Sequence, residues 1–299
     1  MEKNQDKNKA FSEKRIFDYN GKKFDFSVPR VMGIVNVTPD SFYKAGRLGG
    51  KEAWGHGGGE DWCMMVERMI LEGAYIIDIG GVSTRPGAAE VSEEEEKRRI
   101  LPVLKELRKT FPEIIISIDT YRSEIARMAA GEGADMINDI SGGTFDPNMI
   151  SEIVHLKIPY IIMHTYGTPQ TMQQNPVYED VVKEVKDFLL KQASKLELAG
   201  HYKIILDPGF GFGKTVDHNY ELLSHLEEFT LTGYPVLAGM SRKSMINRVL
   251  KIKPDEALNG TTVLNTIALM KGATILRVHD VKEAVEAVKL SNFPTFANQ

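Results

Sequence analysis

The 299-residue sequence predicts an α/β protein folded as a single-domain (β/α)8 barrel with an N-terminal β-hairpin. Three observations lead there. Short apolar runs alternate with longer amphipathic segments. There are eight such runs. A polar side chain suited to binding or catalysis follows almost every one. The runs are residues 31–37, 75–80, 114–119, 135–139, 159–164, 203–207, 235–239 and 273–278, and most are rich in Ile and Val, as parallel strands buried on both faces are. Such a rhythm fits a closed barrel or an open doubly wound sheet. The polar residues favour closure. Asn36, Thr84, Asp119, Asn138, His164, Asp207, Lys243, Arg277 and His279 can converge only if all strand ends surround one mouth, as in a TIM barrel. An open sheet would gather its site at one switch point.

Between the strands lie helical patterns. Val181, Val185, Phe188, Leu189, Gln192 and Leu196 keep helical spacing, and Gly200 suits the C′ position. Ile125, Met128 and Ala129 repeat the pattern. Residues 93–109 carry Ile100, Val103, Leu104 and Leu107 on one face, and their opening Glu run reads as a solvated helix start favoured by the helix dipole. Pro102 is positioned to kink that helix. Ahead of the first barrel strand, Tyr19-Asn20-Gly21-Lys22 predicts a hairpin with a type I′ turn, joining Ile16-Phe17 to Phe24 and Phe26 and able to cover the barrel bottom. Residues 1–14, rich in Lys, Asn and Glu, read as a disordered tail, with the barrel domain over 15–299.

Composition narrows the function. A net charge of −4 argues against a nucleic-acid partner. No apolar stretch is long enough for a membrane span, and the N-terminus has no apolar signal core. The single cysteine, Cys63, excludes an internal disulfide, suits a cytoplasmic setting and reads as a packing residue.

Several segments carry chemistry. Asn36, in Met32-Gly-Ile-Val-Asn-Val-Thr-Pro-Asp-Ser-Phe42, either caps a turn or offers its amide oxygen to a hard cation. The Gly-rich stretch 43–60 that follows suits a lid. Ser83, Thr84 and Arg85 form either an ordinary loop or a set of oxyanion donors. Asp119, Asn138 and Asp207 are each common enough as helix caps, but three strand-end acceptors together suit a ring edge with adjacent N–H donors, such as a pterin's. Asp207-Pro-Gly-Phe-Gly-Phe-Gly-Lys-Thr215 imitates a nucleotide-binding P-loop but fails its spacing, because Pro208 stands where the first Gly is required. Its glycines allow close approach to a flat ligand, with Phe210 and Phe212 nearby. Lys243 and Ser244 open a short helix suited to a carboxylate or phosphate. Arg277 and His279 alternate along the last strand, and Asp280 is a candidate cap for the final helix, 281–290.

In this order the segments resemble the dihydropteroate synthase family. The resemblance rests on Asn36-Val-Thr-Pro-Asp-Ser-Phe42, Ser83-Thr-Arg-Pro-Gly87, Ile118-Asp-Thr120, Ile137-Asn-Asp139, Asp207-Pro-Gly-Phe-Gly-Phe-Gly213, Ser241-Arg-Lys-Ser244 and Arg277-Val-His279, and it covers residues 15–290. It implies condensation of 6-hydroxymethyl-7,8-dihydropterin pyrophosphate with 4-aminobenzoate, giving 7,8-dihydropteroate and pyrophosphate. By that resemblance Asp119, Lys243, Arg277 and His279 are catalytic. Asp119, Asn138, Met163, Asp207, Phe212, Lys243 and Arg277 hold the pterin. Thr84, Arg277 and His279 meet the pyrophosphate. Phe42, Arg85, Pro86, Phe210 and Ser244 bind 4-aminobenzoate, with Asp40 in a closing loop. Asn36 ligates Mg2+. The family further implies a homodimer and a target for sulfonamides, which mimic aminobenzoate. Val82 stands where a Glu is usual, Thr165-Tyr166 replace a usual Met-Arg, and 43–60 is atypical. The nearest alternative is a corrinoid-type pterin-dependent methyltransferase, which has no need of the Ser-Arg-Lys-Ser and Arg-Val-His segments.

Overall fold

A computed structural model describes residues 14–37, 60–83, 91–168, 171–172 and 176–293. The predicted hairpin is present. Strands β1 (Ile16–Tyr19) and β2 (Lys22–Asp25) pair antiparallel, and Asn20 and Gly21 both take positive φ, as a type I′ turn demands. Lys14 already belongs to the ordered body: its Nζ pairs with Glu197 at 3.0 Å and sits 3.7 Å over the Tyr234 ring.

Eight parallel strands follow, alternating with helices. Their order along the chain is β3 (Arg30–Asn36), α1 (Glu60–Glu72), β4 (Ile76–Gly80), α2 (Glu93–Thr110), β5 (Ile115–Asp119), α3 (Ser123–Gly131), β6 (Met136–Asp139), α4 (Met149–Leu156) and β7 (Tyr160–Met163). Then come α5 (Val181–Leu198), β8 (Ile204–Asp207), α6 (Val216–Ser224), α7 (Glu227–Thr230), β9 (Leu237–Ala238), α8 (Ser244–Leu250), α9 (Leu258–Met270), β10 (Ile275–Val278) and α10 (Val281–Ser291). The sheet runs β8-β7-β6-β5-β4-β3-β10-β9. A parallel bridge from Leu206 to Val236, with the Leu206 amide donating to the Pro235 carbonyl at 2.9 Å, joins β8 to the chain entering β9 and closes the ring. No described helix is long and apolar enough to cross a membrane.

Alternation along each strand sorts the side chains into an outer and an inner set. Ile77, Ile79, Ile116, Ile118, Ile137, Ile162, Leu206 and Leu276 pack outward under the helices. Met32, Ile76, Ile115, Met136, Ile161, Ile205, Leu237 and Ile275 fill the barrel with Phe24 and Phe26 from the hairpin. That inner layer is wholly apolar. Two residues further along each strand, the inward positions become Ile34, Asp78, Ser117, Asn138, Met163, Asp207, Gly239 and Arg277. The barrel therefore turns polar one layer above its apolar floor.

Two expectations need correction. Glu96 is not part of a solvated helix start. It is buried, with 1% of its surface exposed, and paired with Arg122 Nη1. Ser92 supplies the cap, accepting from the Glu95 amide at 3.2 Å. Pro102 lies inside α2 on its exposed face, and the helix continues past it to Thr110. Asp280 precedes α10 without a side-chain cap bond; its carboxylate receives Arg242 in bidentate fashion at 2.8 and 2.9 Å instead. Gly200 closes α5 with φ +81, as expected, and Cys63 is half-buried against the outer core.

Candidate active site

The polar layer is organised by Arg277. Its Nε donates to Asp78 Oδ2 at 2.6 Å and its Nη2 to Asp119 Oδ2 at 2.8 Å. Burial works against the guanidinium charge, but the two carboxylates outweigh it and hold Arg277 above its ordinary pKa. Asn138 Nδ2 donates to the same Asp78 oxygen at 3.1 Å, so its amide is oriented with Oδ1 turned elsewhere. Asn138 Oδ1 and Asp78 Oδ1 are both buried acceptors without a protein donor. Burial raises Asp119 to about 7, opposed by Arg277 and reinforced by Asp78.

A second pair lies across the mouth. Asp207 ends β8, and its Oδ1 accepts from the Gly209 amide at 2.7 Å. Burial raises its pKa against the pull of Lys243. Lys243 Nζ donates to the Phe210 carbonyl at 2.6 Å and sits 4.7 Å from the Phe212 ring centroid. Burial lowers Lys243 to about 8, with Asp207 acting in the opposite direction. A Cβ on Gly239 would lie 3.8 Å from both Lys243 Nζ and Arg277 Cβ, so this position sits between the two residues. The Phe210 ring is fully buried in the outer core, and only its carbonyl turns towards Lys243. Ser244 is exposed as the first residue of α8. Met163 is buried at the end of β7.

At the rim, Asn36 ends β3. A Cβ on Gly80 would lie 3.7 Å from Asn36 Oδ1 and 3.7 Å from Asp119 Oδ2, so both oxygens border one gap above a glycine. His279 lies just beyond β10, where its Nδ1 and the Ser241 hydroxyl are 3.0 Å apart. His164 turns away from the mouth: it is buried with its ring edge-on to Phe188, and burial lowers its pKa to about 2. Phe42, Thr84, Arg85, Pro86 and Asp40 lie outside the described residues, as does 43–59.

Comparison with known proteins agrees with this geometry. The family model for pterin binding enzymes matches residues 32–279. Dihydropteroate synthase of Escherichia coli K12 is 46% identical, covering 90% of this chain and 93% of the relative. The chain belongs to the dihydropteroate synthase family. Its fold superposes on Yersinia pestis dihydropteroate synthase solved with a sulfonamide drug complex, at TM-score 0.84 and 41% identity, over 92% of this chain and 97% of that one. The Xanthomonas albilineans enzyme with 4-aminobenzoic acid gives 0.83 and 39%, over 92% and 96%.

For this dihydropteroate synthase family member, the structure brings Asp119, Asn138, Asp207, Lys243, Phe212 and Arg277 around one mouth. It adds Asp78, which sequence reasoning left unassigned. The signal was present: Asp78 is the one charged residue in a strand of otherwise apolar and Gly positions, and a buried carboxylate is costly without a partner. What the sequence could not show is that the partner is Arg277, nearly two hundred residues away.

Proposed function

We propose that the protein condenses 6-hydroxymethyl-7,8-dihydropterin pyrophosphate with 4-aminobenzoate, forming 7,8-dihydropteroate and releasing pyrophosphate. The observation that carries this reading is the acceptor array in the polar layer above the apolar floor. Asn138 Oδ1 and Asp78 Oδ1 are buried acceptors without a protein donor, and the buried Asp207 carboxylate feels the nearby positive charge of Lys243. A pterin edge presents adjacent N–H donors beside one carbonyl acceptor, which is the complementary pattern. The ring enters beside Phe212 and Met163.

Chemistry follows from charge. The bond from the ring methylene to the pyrophosphate oxygen breaks with its electrons going to pyrophosphate. Arg277, with His279 at the rim and Thr84, meets the negative charge that builds there. Asp119 stabilises the positive charge left on the methylene. The neutral aniline nitrogen of 4-aminobenzoate then bonds to that carbon and loses a proton. Ser244, at the start of α8, receives the aminobenzoate carboxylate. Phe42, Arg85 and Pro86 complete that subsite, and sulfonamides compete for it; Phe210, expected there from the sequence, has its ring packed in the outer core instead.

Mg2+ belongs to the same reading. No cluster of three or more His, Cys, Asp or Glu suited to a metal occurs among the described residues. Magnesium bound mainly by water and phosphate oxygens needs only one or two protein oxygens, and Asn36 Oδ1 at the rim fits that demand. When bound with pyrophosphate it would neutralise charge on the leaving group. A cytoplasmic homodimer completes the proposal, supported by the exposed apolar side chains Val263 and Met270 on α9 and Leu290 on α10.

The test is direct. The protein, mixed with the pterin pyrophosphate, 4-aminobenzoate and Mg2+, is expected to release pyrophosphate and dihydropteroate in equal amounts. Absence of both products overturns the reading. Lys243→Ala should raise the KM for the pterin substrate about tenfold or more, since it removes a charged donor. A wild-type pterin KM in that variant would remove Lys243 from the pterin edge.

A further inference from the structure

The Gly-Phe-Gly-Lys-Thr segment that imitates a P-loop holds a lysine the reaction does not use. Lys214 is 3% exposed. Its Nζ lies 3.0 Å from the Gly209 carbonyl, 3.0 Å from the Phe212 carbonyl, 3.2 Å from the His164 carbonyl and 3.0 Å from His164 Nδ1. A P-loop lysine points out at phosphate. This one is folded back into its own loop, and its three protons are shared among four acceptors. His164, kept neutral by burial, offers a ring lone pair.

The loop needs such a cation. Gly209, Gly211 and Gly213 all take positive φ, at +72, +83 and +61. A Cβ at Gly209 would fall 2.0 Å from the His164 carbonyl oxygen, so the loop lies directly on the end of β7. In this shape three carbonyl dipoles converge on one buried point and repel one another unless a positive charge sits there. Burial exacts a cost, lowering Lys214 to about 7, while Asp207 raises it and Lys243 lowers it further.

The opposite face of the same loop serves the site. Asp207 is fixed by the Gly209 amide, the Phe210 carbonyl seats Lys243, and the Phe212 ring borders that lysine. We propose that Lys214 is a positioning residue for the pterin subsite: by gathering the His164, Gly209 and Phe212 carbonyls it holds the loop after β8 in the one shape that presents Asp207 and Phe212 to the ligand and seats Lys243 on the Phe210 carbonyl. This rests on the dihydropteroate synthase reading above. Ser244 and the aminobenzoate side start from α8, beyond the reach of this grip.

The experiment compares wild type, Lys214→Met and Lys214→Gln by steady-state kinetics in both substrates, with a folding check by circular dichroism. Lys214→Met, which keeps length but loses charge and donors, should raise the pterin pyrophosphate KM about tenfold or more while the aminobenzoate KM stays within about twofold. Lys214→Gln, which keeps two donor hydrogens, should fall between it and wild type. An unchanged pterin KM in a folded variant overturns the proposal. So does an equal rise in both KM values, or failure of both variants to fold, since Lys214 would then serve the scaffold alone. A wild-type protein that makes no dihydropteroate would instead sink the functional reading itself.

Discussion

Two histidines lie neutral in the interior, and their burial governs how the fold meets acid. His201 is 4% exposed, and burial lowers its pKa to about 4 from 6.5. The unfolded chain takes up that proton near pH 6.5, whereas the folded chain resists until about 4. Between those values the unfolded state binds more protons, so stability is complete above the unfolded pKa and is lost as pH falls. Asp119 acts in the opposite sense, because its folded pKa of about 7 lies above the unfolded value. Comparing wild type with His201→Asn at two pH values cancels that contribution. Wild type should lose about 2 kcal/mol more than the variant between pH 7 and pH 5, measured by urea unfolding. Equal losses in the two proteins would mean that His201 is protonated in the folded state.

At the scale of elements, α2 and α3 are joined by a buried charge. Glu96 on α2 pairs with Arg122, just before α3, and Arg122 Nη2 also donates to the Val91 carbonyl at 2.6 Å. Burial raises the Glu96 pKa while Arg122 opposes it. Arg122→Met should therefore cost about 3 kcal/mol, because it strands a carboxylate away from water. Adding Glu96→Gln should recover a good part of that loss. A single-variant loss below about 1 kcal/mol would show that the carboxylate finds water or takes a proton cheaply. This pair marks the boundary of what the sequence reveals. Strands were legible because Ile-rich runs buried on both faces need no partner to declare themselves, as 114–119 and 159–164 do. Asp119, Asn138, Asp207 and Lys243 were legible because a polar residue at the end of an apolar run stands out. Glu96 was not, because four consecutive glutamates look alike until Arg122 selects one. Lys214 was not, because its acceptors are backbone carbonyls, which every residue carries.

The whole molecule separates support from chemistry by layers. Phe24 and Phe26 from the hairpin enter the barrel from below and are fully buried. Phe17 stacks on Phe24 with centroids 5.5 Å apart, and Tyr75 meets Phe26 edge-on at 6.3 Å. Above them stand the eight apolar residues that Met32 and Ile76 begin, and only above those does the polar layer of Asp78, Asn138, Asp207 and Arg277 open. A closed barrel with polar groups in its upper interior needs a dry floor, since water entering from below would compete for those hydrogen bonds. Phe26→Ala should therefore lower stability by about 3–5 kcal/mol, the usual cost of emptying a buried aromatic position. The apolar layer insulates the site, so at a temperature where the variant is folded both KM values should match wild type within about twofold. Thermal unfolding read alongside steady-state kinetics checks both halves of this expectation. A variant of wild-type stability would show that the hairpin only drapes over the barrel. A stable, folded variant with a raised pterin KM would show that the floor and the pterin subsite are mechanically continuous, and that the hairpin shapes recognition from the far end of the barrel.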